Sequence, residues 1–166
     1  AWGASYDNTA LPEFVGQRLG EPLKESDVMN LAELGFTSRH HIPSLSKEDH
    51  LDLELEVGTR LVRQALSANG WEPAEVQGLL IGMSAPVADD YVPQLAQRVG
   101  IPDSALKVSV HKACDGSMGA LHLALNPALS APGQINVAEE LYGKKVLVGG
   151  IEGLSRMISQ AHDKYA

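Results

Sequence analysis

A single cysteine, Cys114, stands among the 166 residues, and its neighbours are of the types that can build a nucleophile. The stretch reads Val108-Ser-Val-His-Lys-Ala-Cys-Asp-Gly-Ser-Met-Gly-Ala-Leu-His-Leu-Ala-Leu-Asn126. Before the cysteine, Leu106, Val108 and Val110 alternate with Lys107, Ser109 and His111, the period of two that marks a strand. After it, Met118, Gly119, Leu121, Leu123, Ala124 and Leu125 leave little polar surface on any side, which predicts a short helix buried in the middle of a domain. Cys114 therefore falls where a strand hands over to a helix. Unpaired backbone N–H groups and the positive end of the helix dipole favour an anion at such a place, so a thiol there can shift towards the nucleophilic thiolate. A lone cysteine is also read as a small buried hydrophobe. The residues beside it weigh towards chemistry: Asp115-Gly116-Ser117 and Gly119 predict a tight turn and close approach of other backbone, since interior glycine otherwise costs a helix about 1 kcal/mol.

Other groups of the right chemical type fare less well. His111 lies on the Lys107/Ser109 face of its strand and reads as a hydrogen-bonded structural histidine. His122, about 80° round an ideal helix from Cys114, reads as a core or subunit-interface histidine. Asp89-Asp90 are adjacent, so their carboxylates diverge, and loop aspartates ordinarily serve turns. Gly149-Gly150 follows an apolar run but belongs to no Gly-x-Gly-x-x-Gly or Gly-Lys-Ser/Thr pattern. With one cysteine, and with His40, His41, His50, His111, His122 and His162 outside zinc-type spacing, neither a disulfide framework nor a structural metal is expected.

The elements that must position Cys114 follow from pattern. Asn8 to Gln17, with Pro12 and Gly16, reads as a loop; Ser26-Asp27 precedes a short amphipathic helix through Val28, Met29, Leu31 and Leu34 that stops at Gly35. Phe36-Thr-Ser-Arg-His-His-Ile42 reads as a polar, cationic connecting segment. Ser46-Lys-Glu-Asp49 resembles a capping box, and Leu51, Leu55, Leu61, Val62, Ala65 and Leu66 then recur at helical intervals up to Asn69-Gly70. Gly78 to Met83 reads as a buried strand, Pro93 to Val99 as a short helix ending at Gly100, and Lys145 to Gly150 as a strand buried on both faces. Asn126-Pro127 ends the helix after Cys114 near Leu125, and a short helical piece is expected around Val137 to Tyr142. Alternating strands and helices predict an α/β layer sandwich with a largely parallel sheet in one domain over 1–166.

Composition narrows the partners. At 44% hydrophobic the chain can bury a core, and a net charge of −8 without a basic run argues against nucleic acid. No apolar run nears the roughly 20 residues of a membrane helix, and the start lacks a secretory pattern, so a cytoplasmic location is expected.

Taken in order, these pieces resemble the N-terminal half of a β-ketoacyl-acyl-carrier-protein synthase III, a condensing enzyme of the thiolase superfamily. The resemblance rests on Gly35-Phe-Thr-Ser-Arg-His-His-Ile42, Ala65-Leu-Ser-Ala-Asn-Gly70, Val76-Gln-Gly-Leu-Leu-Ile81, Tyr91-Val-Pro93 with Leu95-Ala96, Ala113-Cys-Asp-Gly116, and Val146-Leu-Val-Gly149 followed by Leu154-Ser-Arg156. It implies a thiolase-like α-β-α layered fold, a mostly parallel mixed sheet around a buried helix, forming about half of a complete αβαβα unit. It implies Cys114 as the acyl-accepting nucleophile, an acyl-CoA or acyl-carrier-protein thioester as substrate with no permanently bound cofactor, and a malonyl thioester as second substrate; the alternatives are an acyltransferase or hydroxymethylglutaryl-type synthase on the same fold, or a non-catalytic thiolase-like partner subunit. It places Arg39 and His40 in the basic segment near the cofactor and carrier-protein entrance. From its position alone, Lys112 beside the cysteine could favour the thiolate electrostatically, meet an acidic carrier protein, or stand solvated. The histidine and asparagine that complete such a site belong to a C-terminal half, expected as a cleaved or separate chain, and the complete units are expected to form a homodimer. Met29 and Lys164 stand nearest the positions where family members stack adenine between Trp and Arg.

Overall fold

The computed structural model describes residues 4–22, 33, 35–42, 45–129 and 134–153. Two compact units divide the chain: Ala1–Ser46 with Gly153–Ala166, and Lys47–Glu152.

In the first unit, strand β1 (Ala4–Asp7) leads into helix α1 (Leu11–Leu19), and β1 pairs antiparallel with β2 (Ser38–His41) in the register Tyr6↔Arg39. The loop expected over Asn8 to Gln17 is therefore largely a helix. Its proline is no obstacle, because Pro12 sits in the first turn, where its missing N–H has no intrahelical partner to lose. The Asp7 carboxylate accepts from the N–H groups of Thr9 and Ala10 at 2.9 and 2.8 Å, and left-handed Gly20 ends the helix. The cationic connecting segment is likewise corrected: Ser38–His41 is a strand. Its polar residues alternate with a buried one, His41, whose ring packs against Tyr6 and Phe14. The helix expected from Val28 to Leu34, apart from Glu33, lies outside the described residues, as do Leu154 to Arg156 and Lys164.

The second unit begins with the long helix α2 (Lys47–Asn69), which starts directly after Ser46 and ends at Gly70, φ 64°. A turn of 3-10 helix (Pro73–Glu75) leads to β3 (Gly78–Met83), then α3 (Tyr91–Val99), β4 (Leu106–His111), α4 (Gly116–Leu125), the short α5 (Val137–Glu140) and β5 (Val146–Gly150). The sheet order is β4-β3-β5, and both neighbours run parallel to β3. All six residues of β3 are buried, because helices cover both of its faces. Leu79 and Ile81 face a core with Leu55, Val62 and Leu66 of α2 and Tyr91 and Leu95 of α3. Leu80, on the opposite face, packs with Ala120 of α4 and Leu141 after α5. The layering is thus α-β-α, as the alternation of elements predicts.

Two burial expectations need correction. Only Gly116 and Ala120 of α4 are buried, while Met118 is 60% and Leu125 70% exposed. The helix lays one side on the sheet, and its remaining apolar sides meet solvent. Strand β5, expected to be buried on both faces, is half-buried from Val146 to Gly149, because among the described strands it pairs only with β3.

Candidate active site

The route from β4 to α4 is short and tightly folded. His111 ends the strand, Ala113–Asp115 form one 3-10 turn, and Gly116 begins the helix. Within that turn Ala113 adopts φ 43°, a left-handed conformation that costs a residue bearing a Cβ roughly 1–2 kcal/mol. The N–H of Asp115 donates to the Lys112 carbonyl at 3.0 Å, and that of Gly116 to the Ala113 carbonyl. Cys114 occupies the middle of this turn and is exposed. It stands at the carboxyl end of a strand in a parallel sheet, the side on which open α/β sheets bind ligands.

Lys112 is brought beside Cys114, but its ammonium reaches the Asp115 carboxylate at 2.5 Å, so the pair closes the turn on itself. Both side chains are more than half exposed, which limits what the ion pair adds to stability. His111 is held by Ser109, with Nε2 and Oγ 2.7 Å apart, as strand alternation predicts. His122 Nε2 lies 2.7 Å from Asn126 Nδ2 one turn along α4, and its side chain is exposed rather than in the core. Asp90 precedes α3 without capping it through its side chain; its carboxylate accepts instead from the Gln94 side-chain amide at 2.8 Å, a local contact on the same element. Arg39, 4.0 Å above the Phe36 ring, and the exposed His40 belong to the first unit, whereas Cys114 and Lys112 belong to the second.

The glycines around the turn behave as the sequence suggests, with additions it did not reveal. A Cβ built on Gly116 would lie 2.8 Å from the Met83 nitrogen, and one on Gly119 2.9 Å from Cδ of Lys112. The facing surface is also glycine: a Cβ on Gly82 would lie 2.0 Å from the Gly116 carbonyl carbon, and one on Gly150 3.0 Å from Ser117 Cβ. The start of α4 therefore rests directly on the ends of β3 and β5. Two residues beyond Gly82 and Gly150, the Ser84 N–H donates to the Glu152 carboxylate, fixing the loops that leave those two strands. Neither Gly82 nor Glu152 carries a local signal; each is identified only by what the fold sets against it. Among the described residues no group of three or more His, Cys, Asp or Glu side chains is arranged to hold a metal, and no helix is long and apolar enough to cross a membrane.

A parallel sheet between helical layers, with Cys114 at the β4–α4 junction, is the thiolase-like α/β fold. No protein-family model matches the chain. Among solved structures it is similar to a 3-oxoacyl-(acyl-carrier protein) synthase from Burkholderia xenovorans LB400, with 18% identity and a TM-score of 0.55 over 74% of this chain and 32% of that one. It is also similar to a tetronic acid condensing enzyme, with 21% identity and a TM-score of 0.59 over 99% of this chain and 43% of that one. A curated relative, an acetyl-CoA acetyltransferase of Allochromatium vinosum, is 24% identical over 103 residues, 61% of this chain. The chain spans 24% of that relative's length, and under half of either solved structure.

Proposed function

We propose that this chain is the nucleophile-bearing half of an acyl-thioester condensing enzyme. The observation that carries the reading is an exposed Cys114 held on a tight turn at the carboxyl edge of a parallel sheet, in a fold shared with a 3-oxoacyl synthase and another condensing enzyme. In the first step the Cys114 thiolate attacks the carbonyl carbon of an acyl-CoA or acyl-carrier-protein thioester. A new carbon–sulfur bond forms to Sγ, the bond to the donor sulfur breaks, and the donor leaves as a thiolate that takes up a proton. In the second step a malonyl thioester loses carbon dioxide, its α-carbon attacks the acyl-cysteine carbonyl, and the 3-oxoacyl product leaves as Cys114 recovers its thiolate. Dividing carbon–carbon bond formation into two steps is what a covalent intermediate contributes.

A C-terminal half supplies the groups that complete the site, and it covers the apolar sides of α4, where Met118, Leu121 and Leu125 are exposed. The complete units form a cytoplasmic homodimer. Arg39 and His40 on the first unit, and separately Lys112 on the second, which must release Asp115 to do so, serve as contacts for the substrate or an acidic carrier protein.

A second reading keeps the first step and ends in simple acyl transfer, and the likeness to an acetyl-CoA acetyltransferase favours it. The complete protein incubated with acyl-CoA or acyl-carrier protein is expected to gain one acyl mass on the peptide bearing Cys114, and Cys114→Ala is expected to lose it. No adduct on the wild type would sink both readings. Carbon dioxide release from malonyl-carrier protein then separates condensation from transfer.

A further inference from the structure

The geometry points to Gly82 and Gly150 as positioning residues for Cys114: they form a side-chain-free seat that sets how deeply the start of α4, and with it the cysteine turn, sits on the sheet. This rests on the reading of Cys114 as the acyl-accepting nucleophile. The seat lies at one level of two paired strands, since Gly82 and Gly150 are register partners. Above Gly82 is backbone, with the Gly116 carbonyl carbon 2.0 Å and the Ser117 nitrogen 2.3 Å from where a Cβ would be. Above Gly150 is the Ser117 side chain, at 3.0 Å from the same construction. Ordinary carbon–carbon contact is about 3.5–4.0 Å, so a methyl group on Gly150 must push the first turn of α4 back by a few tenths of an ångström, and one on Gly82 by more.

Relief cannot come from a side-chain rotation at Gly82, where the neighbour is main chain. The displaced turn is continuous with Cys114: Gly116 directly follows the 3-10 turn and is hydrogen-bonded to Ala113 within it. A nucleophile must approach the thioester carbonyl in line with the groups that stabilise the developing oxyanion, and a misplacement of about 1 Å costs on the order of 100-fold. Gly149 provides the internal control. It adjoins Gly150 on β5, and a Cβ there would meet nothing within 4 Å.

The test measures the rate at which acetyl-CoA acylates Cys114 in the complete enzyme, by mass of the Cys114 peptide, beside the rate of alkylation of the same thiol by iodoacetamide. Gly149→Ala is expected to leave both rates within about twofold. Gly150→Ala is expected to slow acylation by about fivefold or more while alkylation, which needs no aligned carbonyl, stays within about twofold. Adding Ser117→Gly removes the Cβ that the new methyl meets and is expected to restore acylation to within about twofold of wild type. The same restoration is expected where Gly150→Ala alone does not fold. Gly82→Ala, pressing on backbone, is expected to be slower than Gly150→Ala and to gain nothing from Ser117→Gly. Undiminished acylation in Gly150→Ala, or a folded double variant that remains slow, overturns the seat alone. A wild-type enzyme that forms no adduct overturns the functional reading, and the seat falls with it.

Discussion

At the residue scale the cysteine turn is held by conformation and short contacts rather than by burial. Cys114 is exposed, its neighbour Lys112 is tied to Asp115, and Ala113 takes a left-handed φ of 43° that glycine would adopt freely. The penalty for a Cβ in that conformation is about 1–2 kcal/mol, against about 0.5–1 kcal/mol of extra chain entropy that glycine would lose on folding. Ala113→Gly should therefore leave stability in urea unchanged or raise it by up to about 1 kcal/mol, whereas the same replacement in the interior of α2, Ala65→Gly, should lower it by about 1 kcal/mol. A loss at position 113 equal to that at 65 would show that the turn carries no strain. Of the residues that could do chemistry, Cys114 and its glycines were legible because a period-two run, a turn and an apolar run meet there. The pairing of Lys112 with Asp115 was not legible, since either side chain could equally have been solvated.

At the scale of elements, the contact between α2 and α3 shows how the scaffold is locked. Tyr91 is fully buried, and its hydroxyl donates to the Glu54 backbone carbonyl at 2.7 Å. Burial raises the phenol well above its ordinary value, and the Glu54 charge adds to this. A group whose folded-state pKa is raised contributes stability that is complete below the unfolded value, about 10 for tyrosine, and is lost as pH climbs through the folded value. Wild-type melting temperature should thus fall faster above about pH 10 than that of Tyr91→Phe. The substitution should itself cost about 1 kcal/mol at neutral pH, the worth of one buried hydrogen bond. Parallel pH profiles for the two proteins would remove Tyr91 from this role. The elements were read well where a long period or an apolar run spoke, as in α2 and β3. They were misread in the first unit, where Pro12 and Gly16 suggested a loop and a first-turn proline proved compatible with α1. They were misread too at Ser38–His41, whose polar residues gave no strand signal until β1 supplied a partner.

At the scale of the whole molecule, apolar surface is unevenly distributed. One side of the sheet carries a continuous core between α2, α3 and β3, while α4 on the other side leaves Met118, Leu121 and Leu125 in contact with solvent. Such a face should bind the dye anilinonaphthalene sulfonate. The 166-residue chain is expected to enhance dye fluorescence, and Met118→Ser with Leu125→Ser to reduce the signal by about half or more without a change in far-ultraviolet circular dichroism. An unchanged signal would place the dye-binding surface elsewhere. In the proposed complete enzyme the same face is covered, so the enhancement should be absent there.

Local pattern was enough for a layered α/β arrangement, a largely parallel sheet and the place of Cys114 at the junction of a strand and a helix. These follow from local periodicity and turn chemistry, which neighbouring residues carry between them. The folded chain adds that Gly82 and Gly150 lie beneath Gly116 and Ser117, that Glu152 accepts from the Ser84 N–H, that α4 keeps an exposed face and that β5 is only half-buried. Those facts join residues far apart in the chain, or depend on which surfaces find a neighbour, and no local pattern records them.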